Sequence, residues 1–162
     1  MMQPLSEKFW QTVSAANGDP DQLKDILDAQ STPDVMAFGR EFNQALINLN
    51  QWKIWGAGFV MTGGMSDDGF HYFRSWIIGR GQEAYETALT WPDDLGQFAD
   101  DDEEDFENEL LEYVAYELLE SRGIEDDPRD ALEASSDDEP EGVEWDEETV
   151  YDLYPKLAKQ FG

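Results

Sequence analysis

Apolar residues recur at three- and four-residue spacing along most of the chain, the period of helices that bury one face. Leu5, Phe9, Trp10 and Val13 make such a stripe behind Ser6, a good cap, and Asn17-Gly18 stops it. Asp19-Pro20 places a cap before a proline at the first helical position, and Gln22 completes a pattern resembling a capping box. Leu23, Ile26 and Leu27 point inward from that short helix. Thr32-Pro33 repeats the start signal and opens a longer helix with Val35, Phe38, Phe42, Leu46 and Leu49 in register. Trp52, Trp55 and Phe59 share the next face, and Gly56, Ala57 and Gly58 leave room for a close neighbour before Gly63-Gly64.

Ser66 caps the following helix, with Asp67 and Asp68 in its first turn, where the helix dipole favours negative charge. This helix should run to Gly79 or Gly81. A further one covers Gln82 to Leu89, and Trp91-Pro92 breaks it. Residues 100–122 read as an acidic amphipathic helix with Phe106, Leu110, Tyr113, Val114 and Leu118 inward and Gly123 as its stop. Residues 124–144 are acid, serine and proline, a mobile acidic linker. A last helix starts near Asp146, breaks or kinks before Pro155, and docks through Trp145, Val150, Leu153, Tyr154, Leu157 and Phe161. No two segments read as paired strands. The expectation is an all-α, compact, single-domain multi-helix bundle over residues 1–162, with an acidic loop and a C-terminal helix docked on the core. Trp10, Phe42, Trp55, Phe59, Phe73 and Ile77 should meet in that core.

Composition supports a packed globule. Aromatic residues make up 13% of the 162 positions, whereas disordered acidic chains are poor in them. There is no cysteine, which excludes disulfides, thiolate catalysis and Cys-based zinc sites. The N-terminus has no basic stretch leading into an apolar run, and no apolar run is long enough to span a membrane. A cytoplasmic protein is the default expectation.

Charge changes the picture. The net charge is −28, and residues 93–148 alone carry −24. A salt-adapted surface would spread its acid evenly. This clustered field repels nucleic acid and anionic lipid and attracts basic proteins. No basic patch exists for direct nucleic-acid binding. The densest run is Asp100, Asp101, Asp102, Glu103, Glu104 and Asp105, the candidate binding surface for a basic partner.

A second candidate lies on the helix after Ser66. On a helical wheel Phe70, Phe73 and Ile77 form one apolar face, widened by Tyr72 and Trp76. Asp67, His71 and Arg74 share a narrow polar stripe, with Asp68 beside it. One reading is a polar site in which His71 moves a proton, the aspartates orient it and Arg74 receives an anion. The plainer reading is a helix cap with an arginine paired to a carboxylate. Glu117 falls on the apolar face of the acidic helix, so Arg74 or Arg80 is its expected partner. Asp68-x-x-His71 offers too few ligands for a specific metal site, and the run from Asp101 lacks the spaced ligands and glycine of a calcium loop. No metal or cofactor is assigned.

The Phe-Trp near the start, WxIWGAGFVMTGGMSDDGFHYFRSWIIGRG in the middle, a following Pro-Asp-x-Leu and a terminal YPKLAKQFG together resemble an uncharacterised bacterial family, domain of unknown function 4240. The resemblance implies that this domain makes up the whole protein. It brings no reaction with it. The residues that carry it are Trp52, Trp55, Gly63, Gly64, Asp67, Asp68, Phe70, Phe73, Arg74, Trp76 and Gly81. The functional expectation is a small acidic binding protein, an inhibitor or antitoxin-like partner of a basic protein. The alternative is a hydrolase or other small-molecule enzyme built around Asp67, Asp68, His71 and Arg74.

Overall fold

The computed structural model describes residues 4–162. The fold is all-α, and among the described residues the only β pairing is an isolated bridge between Gln51 and Glu141. Among the described residues nine α-helices follow in order: α1 (Glu7–Ala16), α2 (Pro20–Asp28), α3 (Thr32–Asn48), α4 (Trp52–Thr62), α5 (Asp67–Gly79), α6 (Gln82–Thr90), α7 (Glu109–Ser121), α8 (Val150–Leu153) and α9 (Pro155–Phe161). Two 3-10 turns, Pro92–Phe98 and Pro128–Ala131, join them.

The caps explain most boundaries. Ser6 accepts from the Phe9 amide and Ser66 from the Gly69 amide. Before α3 the cap is Ser31, whose oxygen accepts from Asp34 N, and the expected cap Thr32 is the first helical residue. Helix α4 ends at Gly63 with φ +75°, which glycine adopts without strain. Within α4, a Cβ at Gly56 would lie 2.6 Å from the Tyr154 hydroxyl, so its absence admits the C-terminal segment. The α9 amides of Lys156 and Leu157 donate to the Asp93 carboxylate at 3.2 and 3.0 Å, a cap supplied from another part of the chain.

Helix α5 is the centre of the molecule. It packs against α1, α3, α4, α6 and α7, and residues 73–79 are buried all round. One apolar cluster includes Phe9, Trp10, Phe42, Phe73, Ile77, Phe106, Leu111 and Leu157. Trp10, Phe42, Phe73 and Ile77 meet there as expected. Trp55 and Phe59 differ: they are partly buried, under Trp145.

Helix α7 departs most from expectation. It begins at Glu109, and residues 100–108 are turn and extended chain. Aspartates are poor helix formers, and adjacent like charges repel. Phe106 is buried against Trp76 and Phe161, but from outside the helix. Extrapolating its phase through non-helical residues put Leu110 and Glu117 on the inward face beside Val114 and Leu118, and only the last two are buried. Leu111, Val114, Ala115, Leu118 and Leu119 are buried, whereas Leu110 is 65% exposed and Glu117 is exposed. Leu153 is likewise 60% exposed, because the helix broken at Tyr154 turns it away while Val150 and Tyr154 face the core.

Candidate functional site

The polar stripe of α5 leads to a cleft of about 480 Å³ between the start of α5, the start of α7 and the acidic segment 136–140. Asp67, Asp68, His71 and Arg74 all line it, with Glu112, Asp137, Asp138 and Glu139 opposite and Trp55, Phe70 and Tyr113 among its walls. A larger hollow of about 730 Å³ lies over α3 beside Arg40 and Glu41. Glu41 is committed there to the start of α1, accepting from Ser6 N and Ser6 Oγ.

Arg74 sits at the base of the cleft and is 3% exposed. Its guanidinium donates to the Leu46 carbonyl at 2.9 Å and to His71 Nδ1 at 3.2 Å, and its Cζ lies 4.6 Å over the Phe70 ring. Arg74 Nε is buried and has no hydrogen-bond partner among the described residues. Burial pulls the guanidinium down to about 10, against the charges of Glu112 and Asp137, which hold it up. His71 Nε2 lies 2.7 and 2.8 Å from the two Glu112 oxygens. A carboxylate accepts and a guanidinium donates, so the order Arg74 to His71 to Glu112 is satisfied by the Nε2–H tautomer.

This arrangement corrects the expected pairing. The carboxylate behind Arg74 is not Glu117, nor Asp67 or Asp68. It is Glu112, reached through His71, and Asp67 and Asp68 stay exposed at the rim. Glu112 shares the helical stripe of Ala115 and Leu119, both buried. Phasing α7 on Leu111 instead of Phe106 would have found it. Asp137, with Oδ1 3.8 Å from His71 Nδ1, carried no such signal, since its position depends on how segment 124–144 crosses the body.

The run from Asp100 to Asp105 divides in two. Asp100 and Glu103 each hold Arg80 Nη2 at 2.9 Å, and Glu103 also accepts from the Trp76 indole at 2.7 Å. Partial burial works against the Arg80 charge, but hydrogen bonding to Asp100 and the charge of Glu103 outweigh it and raise its pKa. Asp101, Asp102, Glu104 and Asp105 are exposed.

Chemically, the cleft has little freedom for proton transfer. Both His71 nitrogens are engaged, the Ser66 hydroxyl caps α5, and the Tyr113 hydroxyl donates to Glu109 at 2.9 Å. Among the described residues no group of three or more His, Asp or Glu side chains is placed to hold a metal ion. No described helix is long and apolar enough to cross a membrane.

Comparison with known proteins gives the family. The chain belongs to the family described as Protein of unknown function (DUF4240), whose model matches residues 5–121. The matched part holds the central motif with His71, Arg74 and Glu112. Segment 122–162, with the terminal YPKLAKQFG, lies outside it. No curated protein and no solved structure matches the chain.

Proposed function

We propose that this protein acts by binding, and that its acidic surface docks a basic protein in the manner of an inhibitor or antitoxin-like partner. The observation that carries this reading is the division of the acidic run. Among the described residues Asp101, Asp102, Glu104 and Asp105 form no ion pair, while Asp100 and Glu103 are spent on Arg80 and Trp76 and hold the run in place. A run kept rigid by two members presents the other four at little ordering cost to a partner. The field of segment 93–148 would speed its approach. A cytoplasmic setting belongs to this reading.

The test is affinity capture of basic proteins from the native cell at low and high salt. The fourfold variant Asp101→Asn, Asp102→Asn, Glu104→Gln and Asp105→Asn is compared with a charge-matched variant neutralised at Glu125, Asp126, Glu144 and Glu147. Loss of capture by the first variant alone, and weakening with salt, is the expected result. Equal capture by both variants would leave the acid as a solvating surface only.

The rival reading is a small-molecule enzyme at the cleft, favoured by the concave setting of His71 and Arg74. It is the weaker one, because both ring nitrogens of His71 are engaged and, among the described residues, no activated nucleophile stands beside it.

A further inference from the structure

The segment that walls the cleft is attached in an unusual way. From Glu133 to Glu144 no residue is buried, and Val143 is 89% exposed, so this strap has no hydrophobic anchor of its own. Its ties to the body are polar. Asn50 Nδ2 donates to the Asp138 carbonyl at 2.7 Å, Glu141 N donates to Asn50 O at 3.0 Å, and Trp52 N donates to Glu141 O at 2.9 Å. Asp137, whose Oδ1 lies 3.8 Å from His71 Nδ1, adds its attraction to Arg74. On either side the chain is fixed firmly, by buried Pro128 beneath Gly39 and by the Trp145 indole on Trp52 O at 2.7 Å.

Against these ties stands repulsion. Residues 133–144 carry six acids and no base, and the rest of the chain carries a net −22. Asp67, Asp68 and Glu112 line the cleft that the strap closes, and among the described residues its lining includes two arginines, Arg74 and Arg129. The two forces differ in range. Hydrogen bonds and the contact with buried Arg74 act at short distance and feel salt little, whereas repulsion between exposed charges is screened.

We propose that residues 133–144 are an electrostatic lid over the Arg74–His71–Glu112 line. It is latched by Asn50 and opened by the protein's own negative field when that field is unscreened. Lifting the lid uncovers His71 and removes the Asp137 charge from Arg74. This inference does not depend on what the acidic run binds.

Amide hydrogen exchange on the full chain tests it, with protection of peptides covering 133–144 expressed relative to the unfolded chain and compared with peptides from α5. Between about 0.01 M and about 1 M NaCl the Debye length falls from about 30 Å to about 3 Å. Strap protection should rise several-fold over this range, and by more than α5 protection. The variant Glu133→Gln, Asp138→Asn, Glu139→Gln and Glu141→Gln keeps Asp137 and should be protected already at low salt, with most of the salt response gone. Asn50→Ala should lower strap protection several-fold at every salt concentration while α5 stays protected. A strap whose exchange ignores salt, a fourfold variant with the wild-type salt response, or an Asn50→Ala strap as protected as wild type would each overturn the proposal.

Discussion

Arg74 and Arg80 stand six residues apart on and just beyond α5, and the fold treats them in opposite ways. Arg80 stays near the surface, stacks 5.2 Å over Trp76 and is held by two carboxylates. Arg74 is buried, stacks over Phe70, and bonds a backbone carbonyl and a neutral ring nitrogen, with its carboxylate one residue removed. Burial lowers the pKa of Arg74, and pairing raises that of Arg80 against its partial burial. Two cations on similar aromatic platforms thus serve different ends. Arg80 ties a loop to a helix, while Arg74 organises the base of a cleft at a desolvation cost that a surface ion pair avoids.

The strongest break in this comparison is Arg74→Met. It leaves the Leu46 carbonyl unpaired, takes the donor from His71 Nδ1 and leaves Glu112 without the nearby positive charge, and should cost about 3–5 kcal/mol in equilibrium urea unfolding. The triple variant Arg74→Met, His71→Leu, Glu112→Leu should recover part of that loss, because no buried charge remains unanswered. A triple variant weaker than the single one would show that packing, not polarity, dominates the site.

Next comes Glu112→Gln set against Glu103→Gln. The first removes the charge that supports buried Arg74 and weakens a bond to His71, for about 1.5–3 kcal/mol. The second keeps an acceptor for the Trp76 indole and leaves Asp100 on Arg80, so less than about 1 kcal/mol is expected. Thermal melts of the two variants read the difference directly.

A smaller effect is expected from Arg80→Gln, within about 1 kcal/mol and shrinking as salt is added. In the same melts at 1 M NaCl, a loss as large as at low salt would place Arg80 among the buried determinants with Arg74.

The smallest effect is in pH. Hydrogen bonding to Arg80 lowers the Asp100 pKa below its ordinary 3.8. A depressed carboxylate stabilises the fold above the unfolded pKa and loses that contribution as pH falls through the lowered value. Arg80→Gln should therefore move the Asp100 titration, followed by carboxyl-carbon NMR, up towards the ordinary value. Arg74 is depressed only to about 10, so its charge is constant at acid and neutral pH, and Arg74→Met should leave the Asp100 titration in place.

Much of this was legible in the chain, and the reasons are local. Ser6, Asp19 and Ser66 cap helices where the spacing placed them, and the α5 residues Phe70, Phe73 and Ile77 bury one face as the wheel indicated. The break at Pro155 likewise follows from proline's missing amide. Polar convergence on α5 was legible too, since Asp67, His71 and Arg74 share a stripe and a cleft. What failed was phase. The acidic run does not continue into α7, so Phe106 could not index Glu112, and Glu117 was chosen in its place.

The sequence by itself determined the all-α class, most helix ends, the concentration of charge in residues 93–148 and the presence of a polar stripe on a nearly all-buried helix. Each of these depends on residues within a turn or two of one another. Only the tertiary structure decided which carboxylate stands behind His71, that Asp93 caps α9, that Asp100 and Glu103 are consumed while their neighbours are not, and that the acidic strap lies across the cleft. Those outcomes depend on contacts between distant segments, where a shift of one residue in helical phase exchanges one glutamate for another.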